Sequence, residues 1–261
     1  MLAAERRRKR FRSARNIGFL LVPVVIIFVI LQLTSGGGND STVAAQPITC
    51  VNRTPATAIK TQSYTEAPPL SIDVKGTYST VLHTSCGDIR VKLDPKQAPQ
   101  TVNSFLFLAK SEYYNSTTFH RIVTNFVDQG GDQKGDGTGG PGYKLPDEPP
   151  ARGYRVGDVA MANSGPGTSG SQFFLVVSKN GTTILNGQGA PYKYSILGHM
   201  DAHGLRVAKK INTFGTTAEA GTPTRKIYLF DVGIIFGNQS TSTTTTPATT
   251  TTAPATTTTA K

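Results

Sequence analysis

Apolar and polar residues alternate along two neighbouring stretches, 80–85 (TVLHTS) and 88–93 (DIRVKL), with Cys86-Gly87 between them. A period of two sends successive side chains to opposite faces, so the pair predicts a hairpin with one buried face. The period then changes. After Pro99, residues Val102, Phe105, Leu106 and Ala109 recur at helical spacing. Pro99 suits the first turn of that helix, where no backbone N–H is needed. Short strand patterns follow at 119–122, 126–129, 158–162, 172–177 and 196–200. Leu205, Ala208 and Ile211 predict a second amphipathic helix over 205–212, and 226–236 predicts a last strand. Many strands with two helices predict a mainly β fold, a closed antiparallel barrel plugged or capped by the helices.

The two ends of the chain break this pattern. Residues 17–33 form an apolar run near the lower length limit for a membrane-spanning helix. Pro23 within it is tolerable in lipid, where neighbouring groups can satisfy the freed carbonyl. Seven of the chain's 27 Lys and Arg lie between Arg6 and Arg15. That asymmetry predicts a cytoplasmic segment 1–16, an anchor 17–33 and everything later outside the cytoplasm. A cleaved signal peptide is the competing reading, with Val43-Ala44-Ala45 as a small-residue site. It is disfavoured because that site lies far beyond a long apolar run. Residues 34–76 read as a linker and N-terminal extension, beginning with a Gly/Ser/Asn/Thr spacer. Residues 239–261 are almost pure Thr with Pro247 and Pro254, too polar to offset their ordering entropy, and are expected to be disordered. One domain, 77–238, remains.

Charge and cysteine content narrow the function. The formal net charge is +11, but 46–238 holds 19 Lys and Arg against 14 Asp and Glu, a balance of +5 spread along the segment. A spread excess of this kind is a solvated surface rather than a phosphate-tracking stripe, so no nucleic-acid partner is expected. With only Cys50 and Cys86, no CxxC and no His/Cys cluster at ligand spacing, no metal and no cofactor is expected. Both cysteines fall in the segment assigned outside the membrane, where thiols oxidise. A bridge between them is therefore expected, tying the extension to the barrel.

Two long motifs carry a resemblance. Residues 119–132, FHRIVTNFVDQGGD, and 161–174, MANSGPGTSGSQFF, are similar in order and spacing to the two signature segments of the cyclophilins. Ser195-Ile196-Leu197-Gly198 resembles a later element of that family, and residues 98–105, APQTVNSF, its first helix start. The resemblance runs from about 77 to 236. It implies an eight-stranded cyclophilin-like barrel with two capping helices, and a peptidyl-prolyl cis–trans isomerase acting on proline-containing exported polypeptides. The reaction asks for such residues. An X–Pro amide resists rotation by roughly 18–20 kcal/mol because its C–N bond is partly double. A donor that weakens this conjugation and a pocket that grips the ring are enough, with no covalent step. The resemblance assigns Arg121 as the catalytic donor. Phe126, Val127, Phe174 and Leu185 would form the proline pocket, Gln129 and Asn163 would hold the peptide backbone, and Ala162 and Gln172 would line the cleft. Strand alternation sends Phe173 to the core and Phe174 to the cleft, and gives His120, beside Arg121, the role of a hydrogen-bonded structural residue.

The chain departs from the family at three pocket positions. It has no Trp, and Ile184 falls where many members carry one. Because that Trp accompanies tight cyclosporin binding, weak drug sensitivity is implied. Tyr194 stands in place of a second pocket His, and Val127 in place of a Met. The pocket stays apolar but is reshaped. The alternative function is a non-catalytic peptide-binding module of the cell envelope on the same scaffold; keeping Arg121 with Phe126, Gln129 and Phe174 argues against it.

Overall fold

The computed structural model describes residues 46–187 and 193–237. The expected anchor at 17–33, the basic segment before it and the Thr-rich tail lie outside the described residues. Among the described residues no helix is long and apolar enough to cross a membrane.

Described in chain order, the elements are strands β1 (Tyr78–Thr84) and β2 (Gly87–Leu93), helix α1 (Pro99–Lys110), and strands β3 (Thr117–Thr118), β4 (Arg121–Val123), β5 (Val127–Gly130), β6 (Asp158–Met161) and β7 (Phe173–Val176). Helix α2 (Lys179–Asn186), strand β8 (Ile196–Met200), helix α3 (Ala202–Asn212) and strand β9 (Tyr228–Phe236) complete the domain. The nine strands form one sheet in the order β3-β9-β1-β2-β8-β6-β7-β5-β4, and every ladder is antiparallel. The predicted hairpin is β1–β2, its turn made by Ser85 and Cys86 rather than by Cys86 and Gly87: Gly87, at φ 116°, already pairs with Thr84 as the first residue of β2.

Two differences from the expected closed eight-stranded barrel have local causes. Of the strand expected at 119–122 only Arg121 and Ile122 pair, within β4. Phe119-His120 lie in a break before it, and β3, which was not expected, precedes that break and pairs with a different neighbour. The ladder order also ends at β3 and β4 rather than closing. The single bridge Thr118↔Asp132 links β3 to the chain just after β5. A third helix, α2, was not expected. It begins at Ser178, whose hydroxyl accepts from the Gly181 N–H at 3.0 Å, supplying a partner for a donor the helix cannot satisfy itself.

The sheet is buried on both faces along β6 and β7. The inner core unites Leu82, Ile89, Phe105, Ile122, Phe173, Leu175 and Ile211 with their neighbours, and α1 and α3 cover it. Burying a side chain such as Phe173 contributes about 2–3 kcal/mol. The start of α1 is held from a distant loop: the Gln100 and Thr101 N–H groups donate to the two Glu148 carboxylate oxygens at 3.0 and 2.8 Å. α3 begins on Asp201, which accepts from the Gly204 N–H at 2.6 Å. The expected disulfide is present, Cys50 to Cys86. It joins the otherwise irregular extension to the β1–β2 turn.

Candidate active site

The site lies on the other face of the same strands, and its residues are placed by register. Arg121 in β4 pairs with Gln129 in β5, Gln129 with Phe174 in β7, and Phe174 with Ala160 in β6. Residues directly opposite one another share a face, so a guanidinium, an amide and an aromatic ring stand in one row across the sheet. One residue along, Ile122, Asp128 and Leu175 point the other way, into the core. Phe173 and Phe174 separate between the two faces as alternation requires.

The apolar side of the cleft is a second cluster, distinct from the main core. Val127, Tyr154, Ala160, Phe174, Val176, Leu185 and Ile196 are buried together, with Phe126, Ala162 and Tyr194 partly buried against them. The Tyr194 ring stands edge-on to Phe174, 5.2 Å between centroids at 87°. Its backbone is fixed by the Tyr154 hydroxyl, which accepts from the Tyr194 N–H at 2.7 Å and donates to the Tyr194 carbonyl at 2.9 Å. Ile184 is the expected pocket residue that the fold does not bring in. It lies on the outward side of α2, 49% exposed, while its neighbour Leu185 points inward.

The polar side is a chain of oriented groups. Arg121 donates through Nε to the Glu219 carbonyl at 2.9 Å and through Nη1 to Gln129 Oε1 at 3.4 Å. Gln129 Nε2 donates to Gln172 Oε1 at 2.9 Å, and Gln172 Nε2 donates to the carbonyls of Gly137 and Gly139 at 2.9 and 2.8 Å. Asn163 makes only long contacts, 3.5 Å from Nδ2 to both Asp147 and the Lys193 carbonyl. Its Oδ1 is buried without a partner among the described residues, an acceptor in need of a donor. Half-burial lowers the Arg121 pKa, while Glu219 and Tyr194 act to raise it. Arginine's margin is wide enough that it stays charged.

His120 differs from expectation. Neither ring nitrogen has a hydrogen-bond partner among the described residues, because the residue falls in the break between β3 and β4 and no acceptor reaches it. Burial lowers its pKa; Asp132 opposes this, Arg121 adds to it and Asp136 opposes it. The imidazole is therefore disfavoured as a cation. Asp128 is a feature of this region that sequence reasoning passed over. Its fully buried carboxyl accepts from Asn212 Nδ2 at 2.7 Å, while its second oxygen has no partner among the described residues. Burial raises its pKa well above the usual carboxylate value, only partly offset by Asn212. Asn212 also donates to the Val123 carbonyl at 3.0 Å and accepts from the Asn125 N–H at 2.8 Å. It thereby holds the β4–β5 turn, in which Asn125 takes φ 59°. Tyr154, Asp147 and the carbonyl of Glu219 were also missed. All three lie in irregular segments with no period to mark them.

Fold and cleft together define a curled antiparallel β protein whose outer face presents an apolar hollow, a row of amides and one guanidinium. A family model described as cyclophilin type peptidyl-prolyl cis–trans isomerase matches residues 79–234. The chain belongs to this family, which makes it an enzyme of the isomerase class. It is 39% identical over 173 residues to peptidyl-prolyl cis–trans isomerase B of Streptomyces anulatus, covering 59% of this chain and 94% of that one. Against peptidyl-prolyl cis–trans isomerase 9 of Schizosaccharomyces pombe it is 38% identical over 163 residues, 60% of this chain but only 25% of that longer protein. A crystal structure of a Cryptosporidium parvum cyclophilin-type isomerase superposes with a TM-score of 0.53 at 28% identity, covering 61% of this chain and 98% of that one. The same protein crystallised in the presence of the dipeptide Ala-Pro gives a TM-score of 0.51.

Proposed function

We propose that this enzyme accelerates rotation about X–Pro bonds in exported polypeptides, with Arg121 as donor to the prolyl amide and the Phe174 cluster as the grip on the ring. The single observation that supports this best is the row Arg121, Gln129, Phe174 and Ala160 on one face of the sheet. A proline seated over Phe174 would lie along the row that Gln129 joins to Arg121. The guanidinium has five N–H donors, of which two are used among the described residues. A donor to the prolyl nitrogen withdraws its lone pair from the amide, and the twisted state gains more from this than either planar state. Asn163 Oδ1, buried and unpartnered, is suited to accept a peptide N–H from the substrate. The Ala-Pro dipeptide supplied to the Cryptosporidium parvum relative is the smallest ligand of the same chemistry.

The experiment compares cis–trans exchange of a short Ala-Pro peptide for the wild type and Arg121→Ala. Loss of one preorganised donor should lower kcat by about 10²- to 10³-fold, with Arg121→Lys recovering little because it lacks the planar fork. An Arg121→Ala enzyme as fast as the wild type would remove the mechanism. The exported setting is supported by the basic segment, the apolar run 17–33 and the Cys50–Cys86 bridge, since disulfides persist in oxidising compartments. Protease added to intact cells should therefore digest the domain. A domain protected until lysis would place it on the cytoplasmic side.

A further inference from the structure

The loop after β5 joins the cleft to a stretch of chain that precedes the family match. Residues 47–76 contain no helix or strand and end before the matched segment begins at 79. They are nonetheless fixed. The Cys50–Cys86 bridge holds one end, and the Val51 N–H donates to the Ser85 carbonyl at 2.8 Å. Further along, the Gln62 N–H donates to Gln133 Oε1 at 2.9 Å, and Gln133 Nε2 donates to the carbonyls of Lys60 and Tyr113, both at 2.9 Å. The Tyr64 ring packs edge-on to Phe107, 4.9 Å between centroids, and its hydroxyl donates to Gln62 Oε1 at 2.6 Å. The Tyr64 N–H donates to the Pro141 carbonyl at 2.8 Å. Gly142, at φ 93°, lies so close that a Cβ there would run into the Tyr64 carbonyl.

The other side of that loop faces the cleft. The Asp132 carboxylate gathers the N–H groups of Lys134, Asp136 and Gly137 at 2.8, 3.2 and 2.7 Å, which turns the Gly137 carbonyl toward Gln172. Carbonyl oxygens only accept, so the pair at Gly137 and Gly139 dictates which end of the Gln172 amide faces them. Gln172 must then present Oε1 to Gln129, Gln129 must present Nε2 to it, and the remaining Gln129 Oε1 faces Arg121. The direction of every hydrogen bond in this row is therefore set from the loop, and the loop is braced by the extension.

We propose that residues 60–64 of the extension, secured by the Cys50–Cys86 bridge, are positioning residues of the cleft: they hold the 135–142 loop, whose carbonyls orient Gln172, Gln129 and through them Arg121. The inference rests on the isomerase reading of that cleft. It adds that the family-matched domain alone is an incompletely oriented enzyme.

The test uses the full chain in detergent, with Ala-Pro peptide exchange and the NMR signals of the Gln129 and Gln172 side-chain amides read on the same samples. Gln62→Ala with Tyr64→Ala should lower kcat by about 5- to 10-fold at nearly unchanged KM, as expected when a catalytic group drifts by a fraction of an ångström. Both amide signals should shift while the sheet stays folded. Tyr64→Phe, which unlike Ala keeps the ring packed on Phe107, should restore kcat to within about twofold, losing only one hydrogen bond at the edge of the brace. Leu70→Ala, 56% exposed on the same extension, should change neither reading. Gln133→Ala removes the acceptor of the Gln62 N–H and the donor to the Lys60 carbonyl, a second tether of the same segment, and serves if the double variant fails to fold. Wild-type kcat and unmoved amide signals in these variants would overturn the positioning role while leaving the isomerase intact. A wild type that does not accelerate exchange would instead overturn the isomerase reading, and this inference with it.

Discussion

Arg152 is the more exposed member of the most buried ion pair among the described residues, and removing it makes a demanding test. The Asp158 side chain at the start of β6 is 0% exposed and that of Arg152 35%. The guanidinium binds the carboxylate with both arms, at 2.7 and 2.8 Å. The Arg155 N–H adds a third contact at 2.8 Å and His199 Nδ1 a fourth at 3.0 Å. Two charge-assisted hydrogen bonds in a dry site would be worth about 3–6 kcal/mol. Solvent reaches Arg152, and the carboxylate keeps its other two partners, so Arg152→Ala should cost about 2 kcal/mol. Burial acts to raise the Asp158 pKa, but Arg152, His199 and the Arg155 N–H outweigh it and hold it below the ordinary value. A carboxylate depressed in this way adds stability above its unfolded pKa and loses it as pH falls through the folded one. Urea unfolding of both proteins from pH 7 downward should therefore give a gap of about 2 kcal/mol that narrows below about pH 4. A gap equally wide at every pH would refute the electrostatic account and leave only lost packing of the arginine stem.

Three further outcomes follow from the structure. Asp128 has the opposite sign: its raised pKa means the buried carboxyl costs more stability as pH climbs above the unfolded value of about 3.9. Asp128→Asn should thus gain on the wild type between pH 4 and 8 in thermal melts, and a growing deficit would contradict the burial argument. Replacing Cys50 and Cys86 together by Ser opens a loop with a sequence separation of 36 and should cost about 3–4 kcal/mol in non-reducing urea titrations. A cost below about 1 kcal/mol would mean that the extension unfolds separately from the sheet. Gly131→Ala places a Cβ at φ 83°, 2.5 Å from the Ser171 carbonyl and 2.9 Å from the Phe173 ring. It should cost about 2–3 kcal/mol, and a thermal midpoint equal to the wild type's would refute that crowding.

How much of this was legible depended on whether a segment had one wet face. β1 and β2 read clearly because β2 keeps Arg90 and Lys92 outside while Ile89, Val91 and Leu93 go in. β6 and β7 are buried on both sides, so their runs named strands without saying which side held the cleft. Only the motif resolved that, and register then put Arg121, Gln129 and Phe174 in one row. α2 left almost no signal. It is short, carries Gly181 and two threonines, and buries only Gly181 and Leu185; Gly181 is needed there because a Cβ would meet the Phe126 carbonyl at 2.7 Å. Ile184 was placed in the pocket by analogy with a Trp, but one residue on a helix is a turn of about 100°, and it faces outward. Tyr154 and Asp147 lie in an irregular stretch, and each is held by partners distant in sequence.

The strand that carries Arg121 lies at the margin of the sheet, and its outer rim is closed by irregular chain rather than by another strand. The Ile122 N–H donates to the Gly221 carbonyl at 2.7 Å, the Thr124 N–H to Thr216 at 2.9 Å, and the Thr216 N–H to Ile122 at 3.1 Å. Glu219, from the same segment, supplies the carbonyl that holds the guanidinium. A margin sealed in this manner offers no free ladder to a foreign strand. Because the Glu219 carbonyl belongs to no ladder, the aim of the guanidinium depends on the conformation of the segment between the fixed points Thr216 and Gly221 rather than on sheet pairing.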